Sequence, residues 1–231
     1  MIERSEWSRI AHEGIRFMGP YDERHLDAAL GRLALPPAPR VVDLGCGSGS
    51  VLAHLAATLL ATGVGVDLEP PRADIEGITF LAADATTYTT AEQFDLAVSI
   101  GSVATPRQLA ALVRPGGAVL WGEGYWRRMP DGRYLEALGA TEDELDTLEG
   151  MMTRGARAGL RPLDPVTSSV DDFDGYEDRW AQNGERYAAA HAGEEGVKPF
   201  LDWIRAGVRR YRELGGRETL GFALMPFRKA D

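Results

Sequence analysis

One stretch of ten residues, Val41–Ser50, limits the possible folds most strongly, because it changes from strand to helix through glycines. Its first part, residues 41–44, contains β-branched residues, an acid and a leucine, which is typical of a buried strand. Three glycines then alternate with small residues, and helix-forming residues 51–57 follow at once. A strand that turns through glycines into a helix lets a ligand approach the backbone where no Cβ intervenes. The stretch therefore predicts an α/β unit with a ligand site at a helix N-terminus.

Two nucleotide-binding patterns can be compared with this glycine loop. The dinucleotide fingerprint is G-x-G-x-x-G, whereas the spacing here is G-x-G-x-G. Ser50 stands where the fingerprint has its third glycine. Asp43 lies two residues before the first glycine and would repel a pyrophosphate, which argues against an NAD-dependent oxidoreductase. A P-loop requires a lysine that the loop lacks. A carboxylate at Asp43 suits a cationic group instead.

The D-x-G-x-G-x-G pattern resembles motif I of the class I S-adenosylmethionine-dependent methyltransferases. In that family the loop surrounds the amino-acid end of the cofactor, which carries an ammonium and a sulfonium. The resemblance implies that the loop residues bind S-adenosylmethionine; they are Asp43, Gly45, Cys46, Gly47 and Gly49. The alternative interpretation is a glycine-rich turn that holds no ligand.

Acids at the ends of the next two strands extend the resemblance. Asp67 is the last residue of the strand 63–67. A carboxylate at this distance from a glycine loop can accept hydrogen bonds from both hydroxyls of a ribose diol. The neighbouring Leu68 is assigned to the same cofactor site. After a third strand over 78–83, the resemblance implies that Asp84 accepts from the adenine amino group and that the Ala85 N–H donates to the ring. The alternatives are a solvated acid at Asp67 and a loop cap at Asp84.

The fourth and fifth strands are predicted at 94–100 and 118–123. In the family, the end of the fourth strand lies against the cofactor, which implies a role for Ile100 and Gly101. The turn Arg114–Gly117 before the fifth strand is also typical of the family. The chain departs from the family pattern where the segments after Asp67 and Ser102 are short, since the first of them has room for at most one helical turn.

Candidate catalytic residues follow the fifth strand and lie in the first predicted helix. Glu123 can act as a general base or hold a cationic substrate, and Tyr125, with Trp126, can stack on a ring or a cation. The alternative is that Glu123 caps the backbone and the aromatic residues pack. A hydroxyl acceptor would require a base, for which His12 and Glu123 are the candidates. Near His12, further side chains can contact substrate or merely cover the sheet: Arg16, Phe17 and Tyr21.

The whole chain is expected to form one methyltransferase domain over residues 1–231. The predicted fold is α/β, with a doubly wound, mostly parallel seven-stranded sheet of Rossmann-like type. An N-terminal helical lid (1–37, with helices at 3–18 and 21–34) precedes a core of 38–170 and 219–228. The sixth strand is expected at about 163–170, and a capping-box pattern at Thr141 predicts the start of a helix. A helical insertion at 171–216 precedes the last strand; its aromatic stripes favour packing over ligand binding.

Composition narrows the function further. A net charge of −10 disfavours a nucleic-acid partner, because binding phosphates requires a basic surface. With one cysteine, and with His25, His54 and His191 lacking ligands at metal spacing, no metal site is predicted. The chain has no apolar run of membrane-spanning length and no apolar signal core in residues 1–7, so a cytoplasmic location is expected. The oligomeric state is left open.

Together these features predict methyl transfer from S-adenosylmethionine to a nucleophilic N, O, S or C atom of a small molecule. The competing hypothesis is a non-catalytic protein that binds S-adenosylmethionine or serves in interactions, with a degenerate methyltransferase fold. The two short segments motivate it, because they lie where helices of the family flank adenine and substrate.

Overall fold

The structure is a computed structural model that describes residues 2–230 and divides them into two compact units. The first, called the sheet unit, comprises Asp22–Tyr125, Thr147–Thr167 and residues 222–230. The second, called the helical unit, comprises residues 2–21, Trp126–Asp146 and Ser168–Gly221. The expected organisation into lid, core and insertion within one domain stays a prediction.

The chain alternates strands and helices over most of its length. The strands are β1 (Arg40–Leu44), β2 (Thr62–Asp67), β3 (Ile78–Ala82), β4 (Phe94–Ile100), β5 (Val113–Trp126), β6 (Leu160–Pro162), β7 (Val166–Thr167) and β8 (Leu220–Lys229). The α-helices are α1 (Trp7–Ala11), α2 (Glu23–Leu30), α3 (Ser50–Leu59), α4 (Pro106–Leu112), α5 (Gly132–Leu138), α6 (Leu148–Arg157), α7 (Val170–Ala190), α8 (Val197–Arg212) and α9 (Gly216–Thr219). Two 3₁₀ turns, Arg4–Glu6 and Glu142–Glu144, complete the set in the described residues.

The sheet has the strand order β3-β2-β1-β4-β5-β8-β6, and β7 also pairs with β8. The pairs β1–β2, β2–β3, β1–β4 and β4–β5 are parallel, whereas β6 and β7 run antiparallel to β8. The chain winds outward in one direction from β1 to β3 and in the other from β4 to β5. The topological switch point therefore lies between β1 and β4, and ligands of doubly wound folds bind at the carboxyl ends of the strands there. The predicted fold class is confirmed.

The central strands are apolar because helices cover both faces of a parallel sheet. Val41, Val42 and Leu44 on β1 and Leu96 and Val98 on β4 are completely buried. The same core extends to α4 and α6 and to the last strand. Burial on both faces explains why β1 reads as a continuous hydrophobic run interrupted by one acid.

Two parts of the sheet differ from the sequence prediction. The turn Arg114–Gly117 lies inside β5 as an irregularity, since Phe94 pairs with Val113 and Leu96 already pairs with Ala118. The sixth strand, expected at about 163–170, forms instead as two short segments, β6 and β7, which pair with different parts of β8. No helix follows β2 before β3, as the two prolines there predict.

The helical unit is built around the long helices α7 and α8. Gly184 on α7 lets Ile204 approach so closely that a Cβ on Gly184 would lie 2.5 Å from its side chain. The aromatic residues pack on one another: Trp180 lies edge-on to Trp203 at 4.9 Å between ring centroids, and Phe173 stacks on Tyr211 at 5.9 Å. The prediction that these stripes are packing residues agrees with these contacts.

Two helices of this unit were predicted with the wrong extent. The helix expected over 3–18 ends at Ala11, because Asn183 donates to the carbonyls of Ala11 (3.0 Å) and Glu13 (2.7 Å) and Gly14 has a left-handed φ of 71°. The capping-box pattern at Thr141 opens only a 3₁₀ turn, because its hydroxyl donates to Asp143 Oδ1 (2.6 Å) instead of holding a helix N-terminus. In the sheet unit, α2 is also shorter than predicted, since it begins after Asp22 and ends before Gly31.

Candidate active site

The glycine loop after β1 adopts the backbone conformation that its glycines allow. Gly45, Gly47 and Gly49 have φ values of 77°, 51° and 74°, in the left-handed region that favours glycine. A Cβ on Gly45 would also overlap the Ser102 side chain, so only a glycine lets Ser102 pack against this part of the loop. The glycines thus set the course of the loop, and the approach of a ligand to its backbone stays a prediction.

Hydrogen bonds hold this loop against the end of β2. The N–H groups of Gly45 and Cys46 both donate to the Val66 carbonyl, at 2.8 and 3.1 Å. The Gly47 N–H donates to Asp67 Oδ2 at 2.9 Å, and the Glu69 N–H donates to Asp67 Oδ1 at 3.0 Å. Each carboxylate oxygen of Asp67 keeps a second lone pair, so the group can still accept from a ligand.

Asp43 is a buried acid within β1, with 2% of its surface exposed. Its carboxyl group makes no hydrogen bond to another of the residues 2–230. Burial raises its pKa to about 7, and the charge of Asp67 acts in the same direction. A buried carboxylate without a protein partner is costly in the ionised form, and a bound cation offsets that cost. The residues of the loop thus fit a ligand with a cationic group.

The Cys46 thiol lies in the same buried environment. Burial raises its pKa, and the charges of Asp43 and Asp67 raise it further. The thiol therefore stays protonated, which leaves the backbone of Cys46 as the part of this residue that suits a ligand.

Asp84 and Ala85, which are assigned to adenine, follow β3, and Leu68, which is assigned to the same cofactor, follows β2. Asp84 is exposed and caps a turn, since its Oδ1 accepts from Thr86 N (2.8 Å) and Thr86 Oγ1 (2.6 Å), while Oδ2 makes no bond within the described chain. The Ala85 carbonyl accepts from the Gln108 side chain. Leu68 at the end of β2 is 73% exposed, which is unusual for a leucine beside a sheet edge and suits contact with an apolar ring.

Ile100 and Gly101 lie at the carboxyl end of β4. Ile100 is half-buried, and Gly101 is anchored by its N–H donating to the Gly122 carbonyl at 2.8 Å. The sheet unit thus brings the ends of β1, β2 and β4 to one edge, as the parallel pairing requires.

Of the candidate catalytic residues, Glu123 and Tyr125 lie at the end of β5 in the sheet unit. Glu123 is half-buried, and its Oε1 accepts from the Gly124 N–H at 2.9 Å. Burial raises the pKa of Glu123, against the opposing effects of that N–H and of Arg154. Tyr125 is 8% exposed and belongs to the core. Trp126 is buried too and donates from Nε1 to the Glu142 carbonyl (2.8 Å), so it packs rather than offering a free face.

His12 lies in the helical unit, and both of its ring nitrogens are engaged there. Nδ1 lies 2.7 Å from the Ser8 carbonyl, and Nε2 lies 2.7 Å from the Tyr176 hydroxyl. Tyr176 belongs to the aromatic stripe of α7 that the sequence predicts to pack, and no local pattern relates it to His12. Nearby, Phe17 and Tyr21 are buried and their rings stack at 5.2 Å, with the Arg16 guanidinium over Phe17.

The described residues carry neither a metal-binding cluster nor a membrane-spanning helix. Residues 2–230 contain no group of three or more His, Cys, Asp and Glu side chains placed to hold a metal ion. His25 bonds to Asp22 and His54 to Asp27, both in the sheet unit. Within the same residues, no helix has the length and apolar character needed to cross a membrane.

The strand order, the glycine loop and the buried acid before it define a protein of the methyltransferase class. Residues 13–193 match the family described as "Methyltransferase domain", and the chain belongs to that family. It is 30% identical over 237 residues to the uncharacterized protein YjhP of Escherichia coli strain K12, covering 93% of this chain and 94% of that protein.

Two crystal structures of S-adenosylmethionine-dependent methyltransferases share the fold. The enzyme from Thiobacillus denitrificans is 24% identical, with a TM-score of 0.84 and 98% of each chain covered. The enzyme from Geobacter sulfurreducens is 24% identical, with a TM-score of 0.86 and 98% and 99% of the two chains covered. Both were crystallised with S-adenosyl-L-homocysteine. The family match shows that the chain is a methyltransferase, and the two crystal structures show that it shares the fold of S-adenosylmethionine-dependent enzymes.

Proposed function

We propose that this enzyme transfers the methyl group to a nucleophilic N, O, S or C atom of a small molecule. The observation that carries the proposal is the buried Asp43 carboxyl group, which has no hydrogen-bond partner in the described residues and lies near the end of β1, just before the glycine loop. The net charge of −10 supports a small acceptor over a nucleic acid, because phosphates bind to basic surfaces.

The cofactor residues take their roles from their places at the sheet edge. The ionised Asp43 balances the cationic end of the cofactor, and the backbone from Gly45 through Gly49 lies along its amino-acid part. Asp67 accepts from the two ribose hydroxyls through the lone pairs that its bonds to Gly47 and Glu69 leave available.

The adenine is assigned to the neighbouring strand ends. Asp84 Oδ2 accepts from the amino group, and the Ala85 N–H donates to the ring. Leu68 covers the ring with its exposed apolar surface, and Ile100 with Gly101 lines the pocket at the end of β4. Each role follows from the methyltransferase motif position that the residue occupies.

When bound, the cofactor supplies an electrophilic methyl group whose bonding electron pair stays on sulfur as the methyl passes to the nucleophile. The chain must hold the nucleophile about 3 Å from that carbon and in line with the departing sulfur. Glu123 is a candidate base for a protonated nucleophile, because burial brings its pKa closer to neutral pH. Tyr125 is assigned to the same side of the site as a contact for an aromatic or cationic substrate group.

Calorimetry and a turnover screen test this function in two stages. Binding of S-adenosylmethionine and of S-adenosylhomocysteine is measured first, and amines, phenols and thiols are then screened for methylation. We expect binding of both nucleosides and turnover of at least one acceptor. Absence of cofactor binding would overturn the site assignment, and tight binding without turnover of any acceptor would contradict a small-molecule substrate.

A further inference from the structure

A cavity of about 490 Å³, called the α2–α3 cavity, opens in the sheet unit between the ends of α2 and α3. Its walls come from the last turn of each helix and from the segment that leads from α2 to β1. Asp27 on α2 and Thr58 on α3 supply polar side chains. Most of the lining side chains are apolar: Leu30, Leu33, Leu35, Pro36, Pro37 and Leu59. This size and lining are typical of sites that hold small organic molecules.

The α2–α3 cavity is separate from the site assigned to the cofactor. The glycine loop leads into the first residue of α3, Ser50, whereas the cavity lies at the other end of that helix, at Leu59. At a rise of about 1.5 Å per residue, the helix puts about 15 Å between the two places. The cavity also lies before β1, toward the amino ends of the strands, and doubly wound folds bind their cofactors at the opposite edge.

The polar side chains of the α2–α3 cavity offer hydrogen-bond acceptors. Asp27 Oδ1 lies 2.6 Å from His54 Nε2, and His54 is the donor because a carboxylate can only accept. The other oxygen, Oδ2, has no hydrogen bond to a residue in the range 2–230. The Thr58 hydroxyl donates to the His54 carbonyl at 2.8 Å, so its oxygen keeps lone pairs for a further donor. A ligand that donates hydrogen bonds therefore fits these groups.

Helix ends add negative potential to the same cavity. The carbonyl groups of the last turn make the C-terminus of a helix equivalent to about −0.5 of an elementary charge. α2 ends at Leu30 and α3 ends at Leu59, and both residues line the cavity. Among the described residues that line it, Asp27 is the charged one. The lining of the cavity thus complements a cation.

Two arginines of the sheet unit bind carbonyl groups near the cavity. Arg32 Nη1 donates to the Ala28 carbonyl at 2.7 Å, and Arg228 Nη1 donates to the Ala34 carbonyl at 2.9 Å. Neither arginine belongs to the residues that line the cavity. Arg32 offsets the negative end of α2, which leaves the end of α3 and the Asp27 carboxylate as the groups that attract a cation.

Strained backbone fixes the walls of the cavity. Ala38, with a φ of 48°, and Leu60, with a φ of 54°, are the non-glycine residues of the described chain in the left-handed region. Each directly follows a lining residue, Pro37 or Leu59. Such strain costs free energy and persists where the surrounding structure holds it, often beside a binding site. Leu60 is also 74% exposed and extends the apolar surface at the rim. A cavity with fixed walls loses less free energy in ordering when a ligand binds.

We propose that the α2–α3 cavity binds a small organic cation in which an ammonium group is joined to an apolar chain or ring. The ammonium group donates to Asp27 Oδ2 and to the Thr58 oxygen, at the negative end of α3. The apolar part lies against the leucines and prolines of the wall. This site takes a ligand other than the cofactor and the methyl acceptor, so the inference goes beyond the proposed function and does not rest on it.

Two variants and a control separate the contributions to binding. Asp27→Asn removes the charge but keeps an oxygen that can accept from His54. Thr58→Arg places a cation at the end of α3, where a positive charge suits the helix dipole, and this cation competes with the ligand. The matched control is Asp74→Asn, which removes one carboxylate at an exposed position of the same unit.

The experiment titrates three probes into the full chain and follows the backbone amides by ¹H–¹⁵N NMR. The probes are hexylammonium, the neutral hexanol and methylammonium. We expect saturable shifts at Gly31, Thr58 and Leu59 with hexylammonium, at a dissociation constant of about 1 mM or below. Hexanol should bind about 5- to 10-fold more weakly because it lacks the charge. Methylammonium should not saturate these shifts, because it has no apolar part to bury.

The variants decide whether the charge and the place are right. Asp27→Asn should reduce the preference for hexylammonium over hexanol to about twofold or less. Thr58→Arg should abolish the saturable shifts, and Asp74→Asn should bind like the wild type. Equal affinity of the wild type for hexylammonium and hexanol, or an unchanged preference in Asp27→Asn, would refute the cation site.

Two further results would overturn the inference. If saturating S-adenosylhomocysteine removes the shifts, hexylammonium binds in the cofactor or acceptor site and not in the α2–α3 cavity. If sedimentation equilibrium shows a dimer that Thr58→Arg dissociates, a second copy of the chain covers the cavity instead of a small cation. A monomeric wild type that keeps the shifts in the presence of S-adenosylhomocysteine would support the proposal.

Discussion

At the scale of single residues, Asp67 combines an observed contact with a proposed one. Its carboxylate holds the glycine loop through Gly47, and we propose that its remaining lone pairs accept from the ribose diol. The first task keeps the loop in position without a ligand. The second appears only when the cofactor binds.

Replacing Asp67 by Ala should weaken S-adenosylmethionine binding by about 1–3 kcal/mol, because charge-assisted hydrogen bonds to the diol are lost. Asp67→Asn should have a smaller effect, since its amide oxygen can still accept from Gly47. Calorimetry provides the measurement. The control is Asp74→Ala, which removes one carboxylate at an exposed position and so changes the net charge by the same amount. If the affinity of Asp67→Ala equals that of the wild type, the diol binds elsewhere.

Asp43 should make both stability and cofactor binding depend on pH. Its folded pKa of about 7 lies above the ordinary value of 3.8, so the folded state holds the proton more tightly than the unfolded state. This residue therefore stabilises fully below about pH 4, and its contribution falls by about 1.4 kcal/mol per pH unit toward pH 7. Affinity for the cationic cofactor should instead increase toward pH 8, because only the ionised carboxylate attracts it.

Asp43→Asn tests both statements in one variant. Denaturant unfolding without ligand at pH 5, 7 and 8 should show the wild type losing stability relative to the variant as the pH rises. Calorimetry should show weaker cofactor binding by the variant, with little change between pH 6 and 8. Parallel pH dependence of unfolding in the two proteins would contradict the role of Asp43.

At the scale of the elements, helix ends are set by contacts from far along the chain. Apolar periodicity predicts a helix through residue 18, but α1 ends at Ala11 because Asn183 on α7 binds the carbonyls that the helix would have used. The pattern at Thr141 fails for a local reason, since its hydroxyl donates to Asp143, two residues along the chain. The ends of β1 to β4 were easier to predict, because the pattern that forms each of these strands lies within the strand.

Asn183→Ala should lower the free energy of unfolding by about 1–3 kcal/mol, because two carbonyl groups of the α1 end lose their donor. Arg186 also loses the Asn183 oxygen to which it donates at 2.7 Å. Chemical denaturation of the variant, beside the exposed Gln182→Ala on the same helix, gives the measurement. A change in Gln182→Ala as large as that in Asn183→Ala would show that helix propensity, not the cap, is responsible.

At the scale of the whole molecule, the order β3-β2-β1-β4-β5-β8-β6 explains why residues from separate segments share a site. Parallel strands end at one edge, and the winding reverses between β1 and β4 beside the glycine loop. Residues 43, 67, 84 and 100 can therefore be assigned to one cofactor although they come from four strands.

Binding at this edge should stabilise the folded chain as a whole. S-adenosylhomocysteine at 100 times its dissociation constant should raise the free energy of unfolding by about 2.7 kcal/mol, provided that it binds only the folded state. Denaturant unfolding at several ligand concentrations measures the increase, and adenosine lacking the amino-acid part serves as the comparison. If adenosine stabilises as much as S-adenosylhomocysteine at the same ligand concentration, Asp43 and the loop contribute nothing to binding.

The sequence by itself determined the sheet, the glycine loop and the positions of Asp43 and Asp67, because their signals are local: residue type, glycine spacing and strand ends. The tertiary structure alone decided how far α1 extends and what His12 contacts. His12 and Tyr176 are 164 residues apart, and no periodicity along the chain relates them. Folding brings the two side chains within 2.7 Å, and the Ser8 carbonyl then fixes which nitrogen holds the proton. Hydrogen bonds between distant segments depend on packing, and packing is the property that local patterns do not contain.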